Sequence, residues 1–257
     1  IQEKCDDFPP EPIGLGYTYY HDSVEFKGPV FNPNNSNEVF YVKKYNLTST
    51  NEIIKHNLAT DQKTVICTLS PCDIYTTLRM NKFGWLLFED EMNSKVYKLK
   101  SNGDSLTFMF NSAGGYSEPE WTNNYDEFII AGVLGGTKTL RINYALGTTD
   151  TMYNYVAFSK LSSTNILAGM TGSIPNISYK HLDSLNWNQI TNNQSSEMKE
   201  IILGLNWHPN DQDIYYTKHS NGIWKVNYLT GAVVQVLPSC QTKNYCYLSV
   251  SPDGKKI

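Results

Sequence analysis

Residues 205–237, LNWHPNDQDIYYTKHSNGIWKVNYLTGAVVQVL, contain four short apolar segments separated by polar turns. The segments are rich in β-branched and aromatic residues, and the turns contain Pro, Asn, Asp and Gly. This combination is typical of consecutive strands joined by tight turns. The stretch therefore predicts one four-stranded antiparallel unit.

The same order of segments recurs along the chain, at residues 30–66, 78–110, 119–152 and, in a more degenerate form, 158–190. The residues before the first turn of each copy lie 48, 42, 37, 49 and 43 positions apart; they are Phe31, Arg79, Trp121, Phe158, Trp207 and Val250. A period of about 40–50 residues with four strands per unit is typical of β-propeller blades. We therefore predict an all-β propeller in which the two tryptophans pack between blades.

We expect six four-stranded antiparallel blades in a single domain at 13–257, after an N-terminal extension or tether at 1–12. Five blades are predicted at about 30–67, 75–111, 116–152, 155–191 and 201–238. The sixth should combine 245–257 with 13–28, so that strands from both ends of the chain close the ring and remove exposed sheet edges. Since the sequence stops within a strand of that blade, we expect the native chain to continue.

Three segments carry a more specific pattern: PEWTNNYDEF at 119–128, LNWHPNDQDIYY at 205–216 and LSVSPDGKKI at 248–257. They resemble the P-x-W-S-P-D-G-x-x-I/L signature of TolB-like propeller repeats, which are WD-repeat-like blades common in bacterial cell-envelope proteins. The resemblance implies a non-enzymatic propeller that binds protein partners in outer-membrane or secretion-associated assemblies. It also implies a periplasmic or outer-membrane-associated location.

Four of the five cysteines lie between the fourth strand of one predicted blade and the first strand of the next; they are Cys67, Cys72, Cys240 and Cys246. Two local disulfides are favoured over a four-cysteine zinc site, whose spacing they do not match, and over unrelated buried thiols. Disulfides would indicate an oxidising compartment. Cys5 remains as a free or intermolecular thiol. It lacks the small preceding residue of a lipidation motif, but a lipidated cysteine upstream of Ile1 would be compatible with a membrane tether.

Composition and motifs argue against several other functions. A net charge of −4 and a pI of about 5.7 disfavour a nucleic-acid binder. No apolar run is long enough for a transmembrane helix, and there is no nucleophile elbow, P-loop or HExxH motif. We therefore expect no catalytic residue, cofactor or metal site. The five histidines are expected to be scattered around the ring, and the acidic groups Glu118/Glu120 and Glu89/Asp90/Glu91 to lie on a solvated rim.

Long loops are expected on one face, where the fourth-to-first and second-to-third connections emerge. Five tyrosines carry or adjoin these loops and form the predicted partner-binding face: Tyr75, Tyr116, Tyr153, Tyr155 and Tyr245. Loops on a rigid scaffold concentrate function, and tyrosine is enriched at interfaces. We therefore predict a protein or peptide partner. The alternative is a periplasmic or surface propeller that binds or cleaves polysaccharide, as a lectin or a lyase.

Overall fold

The computed structural model describes residues 24–74, 78–112, 118–132, 138–152, 156–171, 176–193, 202–218, 221–238 and 248–257. Within these ranges, twenty strands form five sheets of four, and neighbouring strands in each sheet are antiparallel and follow chain order. The prediction of an all-β propeller with four-stranded antiparallel blades is confirmed. Among the described residues, no helix is long and apolar enough to cross a membrane.

The first strand of each blade lies next to the first strand of the following blade, from β1 through β5, β9 and β13 to β17. Blade 1 comprises β1 (Val24–Asn32), β2 (Asn35–Tyr45), β3 (Thr50–Asn57) and β4 (Gln62–Leu69), and blade 2 comprises β5 (Arg79–Met80), β6 (Trp85–Asp90), β7 (Lys95–Lys100) and β8 (Thr107–Asn111). Blade 3 comprises β9 (Glu118–Trp121), β10 (Glu127–Gly132), β11 (Lys138–Asn143) and β12 (Thr148–Met152). Blade 4 comprises β13 (Ala157–Leu161), β14 (Ile166–Thr171), β15 (Asn176–His181) and β16 (Asn188–Gln189), and blade 5 comprises β17 (Ile202–Trp207), β18 (Asp213–Lys218), β19 (Gly222–Asn227) and β20 (Val233–Leu237).

The number of blades differs from the prediction, because the described residues form five sheets and not six. Residues 248–257 form a turn without an assigned strand. They lie between blades 5 and 1: the Asn206 side chain donates to Leu248 O at 3.2 Å, and the Phe31 N–H donates to Ser249 Oγ at 3.1 Å. Residues 13–23 lie outside the described part of the chain, so no sixth sheet built from both chain ends is seen.

Residues 24–28, which were predicted to belong to the closing blade, belong to blade 1 instead. Residues Val24 to Lys27 pair with β2, and the pairing resumes at Val30 after a register shift. Gly28, with a φ of 57°, lies in this irregular step together with Pro29. In the sequence the Gly-Pro pair suggests a boundary between blades, but in the structure it forms a bulge within a single strand.

The hydrophobic core consists of layers between consecutive blades. In the layer between blades 2 and 3, Trp85 and Leu87 lie in one cluster with Trp121 and Phe128. Further clusters join blade 1 to blade 2 and blade 4 to blade 5, and a smaller one joins blade 3 to blade 4. Each sheet is therefore covered by its neighbours, which explains why all six residues of β6 are buried.

The two tryptophans of the repeat lie in these layers, as the sequence predicts, at 5% and 7% exposure for Trp121 and Trp207. Each indole N–H also donates to a backbone carbonyl of the preceding blade, Trp121 to Trp85 O at 3.1 Å and Trp207 to Lys160 O at 3.0 Å. A buried indole needs such an acceptor. Tryptophan at this position therefore joins adjacent blades by packing and by a hydrogen bond.

Candidate functional site

The turns between the first and second strands of blades 2 to 5 share one type of backbone hydrogen bond. In these four turns, the N–H of the first turn residue donates to a carbonyl at the start of the second strand, as from Asn81 to Trp85 at 3.0 Å and from His208 to Asp213 at 2.8 Å. Ser251 makes the same bond to Lys256, at 3.0 Å. Residues 248–257 therefore adopt the turn of the repeat even though no sheet follows within the described residues. We call the side of the propeller that carries these turns the turn face.

The backbone hydrogen bonds of these turns show that the predicted residue before the turn was wrong in two blades. The residue before the turn is Met80 in blade 2 and Leu161 in blade 4, because the turns begin at Asn81 and Ser162. The sequence pattern predicted Arg79 and Phe158. The arginine was misread because its side chain does not fill an interblade layer but takes part in a charged cluster at the centre of the ring.

A cavity of about 370 Å³ opens at the turn face, where the ends of the inner strands converge. Every blade contributes to its wall, and residues 248–252 contribute as well; representative lining residues are Phe31, Arg79, Glu120, Lys160, Trp207 and Ser249. Six segments of the chain thus surround the opening, although the described residues form five sheets. We call this opening the channel mouth.

Three charged side chains from three different blades meet in the wall of the channel mouth. Glu120 Oε2 accepts a hydrogen bond from Arg79 Nε at 2.8 Å and another from Lys160 Nζ at 3.3 Å. All three side chains are nearly buried, with exposures of 13%, 11% and 8% respectively. Arg79 Nη1 also donates to Leu78 O at 2.9 Å. A single carboxylate oxygen therefore links blades 2, 3 and 4.

The surroundings of Lys160 lower its pKa, so that its neutral form is reached more easily than that of a surface lysine. Burial lowers the pKa of its ammonium group to about 8, and the positive charge of Arg79 acts in the same direction. The carboxylates of Glu120 and Glu118 oppose this shift. A lysine with such a pKa can exchange a proton near neutral pH, which an ordinary surface lysine cannot do.

The rim of the channel mouth is held by contacts between successive turns. Within the described residues these contacts occur at each of the six junctions around the ring: Asn34 to Lys82 O, Phe83 against Tyr125, Asn123 to Ser163 O, Ser163 to Asp211, His208 against Gly254, and Lys256 to Ser36 O. The first and the last are hydrogen bonds of 2.8 Å. We refer to this circle of contacts as the collar.

A second charged cluster lies between blades 1 and 2. Lys44 Nζ forms an ion pair with Asp73 at 2.7 Å, and the Asp73 N–H donates to Asp90 Oδ1 at 3.1 Å. Burial raises the pKa of Glu91 to about 7, with further increases from the negative charges of Glu89 and Asp73. The expectation that Glu89, Asp90 and Glu91 lie on a solvated rim is wrong, since Glu89 is fully buried and Asp90 is 4% exposed.

The structure gives only partial information on the residues predicted as sites. Cys240, Cys246 and the five tyrosines of the predicted partner-binding face, Tyr75, Tyr116, Tyr153, Tyr155 and Tyr245, lie outside the described residues. Cys67 and Cys72 lie in one hydrophobic cluster as free thiols, and burial raises the pKa of both. The two disulfides and the tyrosine face stay predictions.

The channel mouth itself was not predicted. Glu120 was assigned to a solvated rim and Arg79 to the position before the first turn of its repeat, yet they form an ion pair at 2.8 Å. The signal available in the sequence was a polar or charged residue two positions before the first turn residue, which recurs as Arg79, Glu120, Lys160, Asn206 and Ser249. Among the described residues, no three His, Cys, Asp or Glu side chains are arranged to hold a metal ion.

Comparisons with known proteins support the fold. No protein-family model matches the chain, and no curated protein matches it. Among solved structures, TolB from Acinetobacter baumannii is 18% identical and matches 82% of this chain with a TM-score of 0.68. The match covers 53% of that protein, so this chain spans about half its length.

Two other similar structures come from proteins of different kinds. A chain of a nidogen/laminin complex is 8% identical, with 87% of this chain and 84% of that chain covered and a TM-score of 0.71. An oligogalacturonate lyase in complex with manganese is 10% identical, with 91% and 69% covered and a TM-score of 0.61. At these identities the similarity establishes the fold. The chain folds as a β-propeller of the kind seen in TolB.

Proposed function

We propose that the protein is a non-enzymatic, protein-binding propeller of a bacterial cell envelope, located in the periplasm or at the outer membrane. The observation that carries the proposal is the similarity to TolB over 82% of the chain, together with the repeated turn motif of TolB-like blades. A solved propeller from a nidogen/laminin complex gives general support for a protein partner. Because fold alone does not fix function, the proposal depends on a binding test.

The test starts from the protein purified with its partners from its own membranes. Co-purifying proteins are identified, produced separately, and titrated against the purified chain. Two surfaces are then compared: the predicted tyrosine face, altered in a Tyr116→Ala/Tyr245→Ala double variant, and the channel mouth, filled by Val250→Trp.

The two surfaces give distinct outcomes. We expect the double tyrosine variant to abolish binding of the purified partner and Val250→Trp to leave it intact. Loss of binding in Val250→Trp but not in the double tyrosine variant would place the interface at the channel mouth and leave the proposed function unchanged. Absence of any protein that binds the purified wild-type chain directly would overturn the function itself.

A second candidate function is cleavage of an acidic polysaccharide by β-elimination, and the charged cluster of the channel mouth favours it. In such a reaction a base removes the proton next to the uronate carboxylate, the bond to the departing glycosidic oxygen breaks, a double bond forms, and the leaving oxygen takes up a proton. Lys160, with a pKa of about 8, could act as the base. Arg79, which lies beside it, could neutralise the uronate carboxylate.

This candidate predicts an ultraviolet-absorbing unsaturated product when the protein is incubated with polygalacturonate. Lys160→Met should abolish product formation, whereas Lys55→Met, at an exposed ion pair on blade 1, should not. Measurement of the metal content of the natively purified protein accompanies the assay. Absence of product from the protein with its native metal content would eliminate the lyase.

A further inference from the structure

Three partly exposed aromatic rings gather on the turn face at the junction of blades 2 and 3, outside the channel mouth. Phe83 lies in the first turn of blade 2, Tyr125 in the first turn of blade 3, and Tyr144 after β11; they are 51%, 38% and 40% exposed. The rings of Phe83 and Tyr125 pack edge to face, with centroids 5.2 Å apart. Trp85 is buried, and the centroid of its ring lies 6.5 Å from that of Tyr125.

Three lysines lie directly against these rings. Lys82 Nζ is 5.3 Å from the centre of the Phe83 ring, and Lys100 Nζ is 5.4 Å from that of Trp85. Lys98 Nζ lies 4.8 Å from both Trp85 and Tyr144 and 5.7 Å from Tyr125. Together the three exposed rings and three lysines form what we call the aromatic–lysine surface.

The described part of the chain provides no carboxylate that neutralises the positive charge of this surface. Among the described residues, no carboxylate lies within ion-pair distance of Lys82, Lys98 or Lys100, although most other described lysines have such a partner. Ring faces stabilise an ammonium group but carry no net charge. The surface is therefore locally cationic in a protein whose net charge is −4.

The surface is also preorganised. Lys98 is only 8% exposed, and its ammonium group bridges the Trp85 ring of blade 2 to two tyrosine rings of blade 3. The Tyr144 N–H donates to Asp126 O at 2.8 Å, which fixes the backbone beside Tyr125. A ligand would thus meet rings already held in place, which reduces the entropy lost on binding.

The geometry selects among acidic ligands. Because each ammonium group lies against a ring, a ligand must present a carboxylate close to the apolar surface that stacks on the ring. A uronic acid does both within a single sugar unit, since its C–H face is apolar and its carboxylate projects from the same ring. In an acidic peptide the carboxylate and the apolar groups belong to separate side chains, and in a nucleic acid the charged phosphates are set apart from the faces of the bases that stack on aromatic rings.

We propose that the aromatic–lysine surface binds an anionic polysaccharide made of uronic acid units. Sugar rings stack on Phe83, Tyr125 and Tyr144, and their carboxylates pair with Lys82 and Lys100, which project to solvent. The surface includes the Phe83–Tyr125 contact of the collar, but it shares none of the residues that line the cavity of the channel mouth. It therefore does not depend on either function proposed above.

The test is affinity electrophoresis and calorimetric titration of the full chain with polygalacturonate, and with dextran as the neutral polymer. Phe83→Ala/Tyr144→Ala should weaken binding at least about tenfold, the loss expected when stacking and cation–π contacts are removed. Lys82→Gln/Lys100→Gln should weaken binding several-fold and reduce its dependence on salt. Both pairs are at the surface, and thermal melting checks that the variants fold.

Matched controls use an aromatic residue and a lysine elsewhere on the same protein. Phe108 is 46% exposed on the outer strand of blade 2, and Lys63 is exposed on β4 of blade 1. Phe108→Ala and Lys63→Gln should bind polygalacturonate like the wild type.

Four results would overturn the proposal. Two concern the folded wild type: no retardation by polygalacturonate, or equal retardation by dextran. The third is equal weakening of binding in the control variants, and the fourth is tighter binding of poly-glutamate or single-stranded DNA than of the uronic acid polymer at the same ionic strength. The last would assign the surface to an acidic peptide or to nucleic acid. Retardation by polygalacturonate that only the surface variants lose would support the proposal.

Discussion

The N–H of Phe31 donates to Oγ of Ser249 at 3.1 Å, so a bond joins blade 1 to the last described segment across 218 residues of sequence. Ser249 is 6% exposed. Ser249→Ala should leave a partly buried N–H without an acceptor and lower the free energy of unfolding by about 1–2 kcal/mol. Urea denaturation measures the change.

Ser101→Ala is the matched control, because no described residue is hydrogen-bonded to the hydroxyl of Ser101. It should change the free energy of unfolding by less than about 0.5 kcal/mol. Equal stability of the Ser249→Ala variant and the wild type would show that the segment at 248–257 contributes nothing to the fold through this bond.

Removal of the carboxylate shared by Arg79 and Lys160 should be costly. Glu120→Ala leaves two nearly buried cations beside each other, and we expect a loss of about 3 kcal/mol in the free energy of unfolding. Asp183→Ala removes the exposed partner of Arg141 and should cost less than about 1 kcal/mol. Similar losses in the two variants would mean that the channel-mouth cluster behaves as an ordinary surface ion pair.

The raised pKa of Glu91 predicts a pH dependence of stability. Because the folded chain retains this proton up to about pH 7 while the unfolded chain releases it near 4.5, stability should fall as the pH rises through that interval. Glu91→Gln should remove this loss and be more stable than the wild type at pH 8. Since the side chain is partly solvated, the gain should be about 1–2 kcal/mol.

The measurement is the difference in unfolding free energy between the variant and the wild type from pH 4 to pH 8. Glu25→Gln provides a control of opposite sign. Its pKa is lowered, first by the hydrogen bond from Lys27, so the wild type loses this contribution only as the pH falls through the acid range. A flat difference curve for Glu91→Gln would refute the assigned pKa.

Alanine substitutions at two glycines with positive φ allow the cost of backbone strain to be measured apart from the cost of a steric clash. Gly103, with a φ of 93°, lies where a Cβ would collide with the carbonyl oxygen of Ile66 in blade 1. Gly147, with a φ of 64°, has no atom within 4 Å of that position. We expect Gly103→Ala to cost about 2–3 kcal/mol and Gly147→Ala about 1 kcal/mol in thermal or urea unfolding. Equal losses would exclude a tight contact between blades 1 and 2 at Gly103.

The sequence predicts the repeating turn better than it predicts the sheets. Each first turn depends on local hydrogen bonds, so SPDG at 251–254 forms the expected turn, with Gly254 N bonded to Ser251 O at 2.8 Å. A blade also needs partner strands, and these are not encoded within the turn motif. For this reason the count of turns suggested six blades where five sheets are described.

The channel mouth could not be predicted for a related reason. Glu120 lies 41 residues from Arg79 and 40 from Lys160, and only the ring of blades brings them within bonding distance. Local patterns instead assign an arginine beside apolar residues to the core and a glutamate beside a proline to the surface. Trp121 and Trp207 were predicted correctly because their role, packing between adjacent blades, is the same in each repeat.

The collar has a consequence for what can enter the channel mouth. Each turn contacts the turn of the blade before it and the turn of the blade after it. Ser163, for example, is hydrogen-bonded to Asn123 of blade 3 and to Asp211 of blade 5. Outward movement of one turn would therefore break contacts on both of its sides, so the collar favours an aperture of constant width. The rim would therefore select molecules by their width before the charges of Arg79 and Lys160 act on them.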